Sequence, residues 1–123
     1  MVRRGFTLIE LLVALAILAL LLSIAVPRYF GSLARAEEGV LRENLYVIRD
    51  AVDKHFADTG RYPASLEELV MKKYLRAVPS DPITQSTASW VIIAPSDPKQ
   101  GAVYDVKSGA VGIGRDGKPY AQW

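Results

Sequence analysis

Between Phe6 and Val26 only Thr7, Glu10 and Ser23 interrupt twenty-one otherwise apolar residues. A helix needs about 20 residues to cross a hydrocarbon layer, so this run predicts a transmembrane segment. Past Pro27 the pattern changes. Leu33, Ala36, Val40, Leu41, Leu45, Ile48, Val52 and Phe56 recur mostly at steps of three and four, with charges between them. That spacing predicts an amphipathic helix with one buried stripe. Pro27 has no N–H to donate, so it is expected to kink the joined helix or open its hydrogen-bond ladder. Glu38 and Arg42 stand four apart in the order that favours an ion pair. Thr59-Gly60 predicts the stop, with Gly60 as the C-terminal cap.

Beyond the helix the chain is punctuated by short signals. Arg61-Tyr62-Pro63 opens a connecting segment, and Ser65-Leu66-Glu67-Glu68 has the form of a capping box, which predicts a short helix to about Lys73. Asp81-Pro82 and Asp97-Pro98 predict turns. Around them, residues 89–94, 102–107 and 110–115 read as strands, the last two joined at Ser108-Gly109 by a tight hairpin. Trp123 is expected to plug the sheet against the helix. The prediction is an α+β fold, a long N-terminal helix packed on a small three-stranded antiparallel sheet. Its boundaries are residues 6–26 for the membrane segment and 27–123 for the head. Within the head the helix runs to about residue 59, a connecting segment spans 60–87, and the sheet spans 88–123.

Charge changes this picture little. The net charge of +2 comes from fifteen basic and thirteen acidic residues. Arg3 and Arg4 precede the apolar run, and without them the remainder is neutral. A nucleic-acid-binding body is therefore not indicated. The same two arginines argue for a cytoplasmic N-terminus, with the head on the far side. Cysteine is absent, which excludes disulfides, thiolate catalysis and thiolate metal sites. The one histidine, His55, reads as a partly exposed helix residue. Asp53 and Asp58 do not share a helix face, and Gly112-Ile113-Gly114 is too short for a phosphate-binding loop and lacks the helix that should follow it. No enzymatic site is predicted.

Glu10 is the anomaly, because a carboxylate in lipid costs several kcal/mol unless it is protonated or paired. Near the start of a helix it can approach the interface and the positive end of the dipole. In an uncut chain Arg3 or Arg4 is a possible partner. If the chain were cut before Phe6, the new α-ammonium would be the nearest cation, and a neighbouring subunit shifted along the axis would present its own. A different reading makes residues 1–25 a conventional secretory signal, cut after Ser23-Ile24-Ala25 to release a soluble binding domain that starts at Val26. Against it stand the length of the apolar run and its carboxylate.

Gly5-Phe6-Thr7-Leu8-Ile9-Glu10, after basic residues and before an apolar run ending at Pro27, resembles the type III signal of the type IV pilin and type II secretion pseudopilin superfamily. The resemblance implies a type IV pilin-like fold and cleavage of a leader, residues 1–5, by a prepilin peptidase between Gly5 and Phe6. It further implies N-methylation of Phe6, and a Glu10 that neutralises a neighbour's N-terminus. The head narrows it: Arg61-Tyr62-Pro63, Tyr74-Leu75-Arg76, Val78-Pro79, Asp81-Pro82, Asp116-Gly117 and a terminal Trp resemble the major pseudopilins of type II secretion.

That likeness implies a structural subunit in the bacterial inner membrane with its head in the periplasm. There it would polymerise with copies of itself and with minor pseudopilins, served by an assembly platform and ATPase. A surface type IV pilin for adhesion, motility or DNA uptake is the alternative. The same pseudopilins commonly hold calcium with several C-terminal aspartates. Here the tail Asp116-Gly117-Lys118-Pro119-Tyr120-Ala121-Gln122-Trp123 holds one carboxylate, which cannot by itself build a site of six to eight oxygens; either this chain dispenses with the ion, or backbone carbonyls and Asp105 substitute. No cofactor is expected.

Overall fold

The computed structural model describes residues 4–123. Arg3, part of the expected leader, lies outside them. The elements are α1 (Leu8–Thr59), α2 (Leu66–Met71), β1 (Val91–Ile93) and β2 (Asp105–Lys107), with single 3-10 turns at Pro98–Gln100 and Tyr120–Gln122. Two compact units divide the chain, Met1–Ala34 and Arg35–Trp123.

In the first unit α1 begins where the sequence supplies a cap, and the helix continues through Pro27 without interruption. The apolar side chains from Leu8 to Val26 are all exposed. Such a surface is far larger than a soluble monomer leaves open.

In the second unit the buried face of α1 consists of Glu38, Leu41, Leu45, Ile48, Ala51, Val52 and His55. It packs with Leu66, Leu69, Leu75, Trp90, Val103 and Val106 into one core. Each fully buried Leu or Ile contributes about 1.5–3 kcal/mol. Leu33, Ala36, Val40 and Phe56, expected on the stripe, are exposed instead. Spacing alone does not fix which edge of a broad apolar face is covered, and the covered edge here carries two polar residues. The helix ends at Thr59 as expected, with Gly60 at φ +73° and its N–H donating to the Phe56 carbonyl at 2.8 Å. Ser65 caps α2 by accepting from the Glu68 N–H. The helix stops at Met71, because Lys73 adopts φ +66° and the Tyr74 and Leu75 amides turn back to the Leu69 carbonyl.

The sheet has two strands, not three. β1 and β2 are antiparallel, with Ile92 opposite Val106. Residues 110–115 form no strand and contribute an isolated bridge between Ile113 and Pro119. Two local features divert the chain. Ser108 is fully buried and bonded to Asp81, so it cannot sit in an exposed hairpin turn. Gly112 takes φ +129°, outside the strand region for L-residues, and Gly117 turns the chain again at φ +83°. Asp81 acts as the hub of the connecting segment, and its Oδ1 accepts from the Ile83 and Thr84 amides at 2.8 and 3.3 Å.

Candidate assembly and processing site

Thr7-Leu8-Ile9-Glu10 builds the helix start. Thr7 Oγ1 accepts from the Glu10 N–H at 3.2 Å, and Glu10 Oε2 accepts from the Thr7 N–H at 3.1 Å. This is a reciprocal capping box, which satisfies two of the donors a helix N-terminus leaves open. Arg4, Gly5, Phe6 and Glu10 surround one open hollow. The residues expected at the processing point and the anomalous carboxylate are therefore brought together. Phe6 is almost fully exposed.

Each polar interruption of the apolar run is satisfied inside the helix, since Ser23 Oγ also donates to the Leu20 carbonyl at 2.6 Å. Lipid makes this necessary, because no water is available there to satisfy a lone polar group. Magnitudes separate Glu10 from the other two. A capping bond contributes about 1 kcal/mol, whereas a charged side chain at the bilayer centre costs about 2.5–3.5 kcal/mol on insertion scales. The cap orients Glu10 at the head of α1 and contributes less than the cost of a charge held deep in lipid. The sequence carries the signal for this cap in the same pattern, Thr or Ser followed three residues later by Glu, that predicts the start of α2.

Polar groups in the head serve packing. His55, expected to be partly exposed, is buried between α1 and α2. Its Nδ1 lies 2.8 Å from the Arg61 carbonyl, which makes Nδ1 the protonated nitrogen, and Nε2 faces Lys72 Nζ at 3.4 Å. Glu68 Oε1 pairs with Lys72 at 2.9 Å, and its Oε2 accepts from the Ala64 N–H at 2.6 Å. The Lys72 hydrogen bond, followed by the Ala64 amide, holds the Glu68 carboxyl at about 2, well below its usual 4.5. Glu38 and Arg42 do not form the expected pair. Glu38 Oε1 accepts from the Arg115 N–H and the Tyr120 hydroxyl, and Arg42 reaches Asp116 at 3.3 Å. Trp123 is partly buried against the core, as expected, with the Arg42 guanidinium 4.4 Å above its ring.

An exposed apolar helix, long enough to cross a membrane and capped at its N-terminus by a Thr–Glu box, joins a small α+β head. Together these define a pilin-like subunit. Residues 1–26 match the prokaryotic N-terminal methylation motif. The chain is similar to type II secretion system core protein G of Dickeya chrysanthemi, 29% identical over 116 residues, spanning 94% of this chain and 72% of that one. It is 31% identical to the core protein G of Klebsiella pneumoniae over 96 residues, 65% of this chain and 69% of that one. The type IV major pilin protein PilA of Myxococcus xanthus is 35% identical over 66 residues, 54% of this chain but 30% of the pilin. No solved structure matches. The chain belongs to the type II secretion system core protein G family.

Proposed function

We propose that the chain is a structural, non-catalytic subunit of a type II secretion pseudopilus. It is anchored in the inner membrane by residues 6–26 and polymerises through α1 into a periplasmic filament that drives protein export. The observation that carries this reading is the capped Glu10, set at the head of an exposed apolar helix and beside Gly5 and Phe6. A prepilin peptidase cuts between Gly5 and Phe6 and methylates the new amine. In the assembled state Glu10 meets the Phe6 ammonium of a neighbouring copy. Burying the apolar surfaces supplies non-specific attraction, and the charge pair sets axial register, because a subunit docked one step out leaves Glu10 without a cation. Minor pseudopilins, an assembly platform and an ATPase are the further partners of this reading.

Glu10→Val tests the pairing. The variant is expected to insert, to be cleaved and to fail to assemble, and filament yield equal to the parent's would refute the register argument. The intact mass of protein from native membranes tests the processing. A chain starting at Phe6 with one added methyl is expected, whereas a start at Val26 would assign Glu10 to a discarded signal. The stretch shared with the Myxococcus xanthus pilin favours one second reading, a surface type IV pilus. Long filaments on the cell exterior at native expression would favour it.

A further inference from the structure

The C-terminal segment, residues 108–123, is short of regular structure and lacks the strand that would tie it into the sheet. Three side chains of α1 hold it. Glu38, Arg42 and Arg49 are spaced i, i+4 and i+11, which at 3.6 residues per turn places them within about 40° of one another on the helix. Arg49 makes the most bonds. Its Nε donates to Asp105 Oδ1 at 2.9 Å, and its terminal NH2 donates to the Val106 carbonyl at 2.9 Å and the Trp123 backbone oxygen at 2.6 Å. Arg42 covers the Trp123 ring and pairs with Asp116. Glu38 receives the Arg115 amide at 3.0 Å and the Tyr120 hydroxyl at 2.9 Å.

The family resemblance implies a calcium ion near this segment, and the donor set does not fit one. Among the described residues no three carboxylate or imidazole side chains converge on a point that could hold a metal. Asp116 is committed to Arg42 and to the Lys118 amide. A cavity of about 350 Å³ beside it is lined by the cationic Arg42, Arg49 and Lys118. No buried side-chain polar atom among these residues lacks a partner. A divalent cation there would meet three positive charges against the one carboxylate of Asp116, and its ligands would have to be taken from bonds already made.

We infer that Glu38, Arg42 and Arg49 form a side-chain clamp that locks residues 108–123 onto α1 in place of a metal ion, so that the folded head is independent of divalent cations. The test uses the full chain in detergent micelles. Thermal unfolding in excess EDTA and in millimolar calcium is expected to coincide. In Arg49→Met, amide exchange across residues 110–123 is expected to rise at least about tenfold relative to the parent, while that of residues 45–52 changes little, and added calcium is expected not to reverse it. A midpoint that falls with EDTA or rises with calcium overturns the inference, as does unchanged exchange in Arg49→Met. Should that variant fail to fold, Arg42→Gln takes its place: its side chain is exposed, and faster exchange confined to residues 114–123 is expected. Unchanged exchange there would likewise overturn the clamp.

Discussion

Ser108→Ala probes the buried hub that diverts the chain from a third strand. Ser108 and Asp81 are both fully buried. The hydroxyl donates to Asp81 Oδ2 at 2.5 Å and accepts from the Ala110 N–H at 3.1 Å. Its removal deletes a hydrogen bond to a charged group, about 1.5–3 kcal/mol net, and leaves a buried amide without an acceptor, about 1–3 kcal/mol more. The two losses overlap when the site relaxes, so about 3 kcal/mol is expected. For a head of this size each kcal/mol lowers the midpoint by about 4–8 °C, which gives a fall of about 12–24 °C. Near-UV circular dichroism of the full chain in micelles follows this unfolding, because both tryptophans, Trp90 and Trp123, lie in the head. Ser86→Ala is the control. Its exposed hydroxyl accepts from the Ala88 amide, and a change within about 0.5 kcal/mol is expected. A Ser108→Ala shift under about 4 °C would refute the reasoning, equivalent at that scale to less than about 1 kcal/mol. So would strict additivity with Asp81→Asn, since directly bonded partners couple by about 0.5–3 kcal/mol.

Other outcomes follow from the same contacts. Because the folded Glu68 carboxyl lies at about 2 against an ordinary 4.5, its contribution is complete above pH 4.5 and is lost as pH falls from there toward 2. The stability difference between parent and Glu68→Gln is therefore expected to be flat near neutrality and to shrink through that acid window. A difference that stays constant to pH 2.5 would remove Glu68 as the cause. Gly109→Ala is expected to destabilise the head by more than about 3 kcal/mol, beyond ordinary point-mutant losses. Its new Cβ would overlap the Ser89 carbonyl oxygen, and denaturant unfolding with a midpoint close to the parent's would show that the backbone yields there.

Much of the fold is visible in local chemistry. Gly60 ends α1 and Ser65 starts α2 where the sequence predicts, because a cap is decided by a few neighbouring residues. Asp97 caps a 3-10 turn through the Lys99 amide for the same reason. What escapes a linear reading depends on distant partners. Glu38 sits on the buried face only because Tyr120 and the Arg115 amide, 82 and 77 positions away, receive it. His55 is buried because α2 folds over it, and periodicity assigns no polar residue to a core stripe. Residues 110–115 alternate suitably for a strand, yet the bond from Ser108 to Asp81 takes the chain elsewhere. At the N-terminus the methylation motif is legible as a whole, while the Thr7–Glu10 cap lies hidden in it, since the apolar run draws attention to the membrane and away from the helix start.

The bonds from α1 to residues 105–123 also order events in time. Arg49 reaches positions 56, 57 and 74 residues downstream, and contacts this distant in sequence make folding slow. A ribosome adds about 5–20 residues per second. Glu38 therefore waits roughly 4–17 s after its own synthesis for the chain to reach Trp123. Leu66, Leu69, Leu75 and Trp90 emerge earlier in that interval and cover part of the stripe, while the partners of Glu38, Arg115 and Tyr120, are still to come. The apolar half of α1 is therefore complete well before the long-range bonds that hold residues 108–123 to the helix can form.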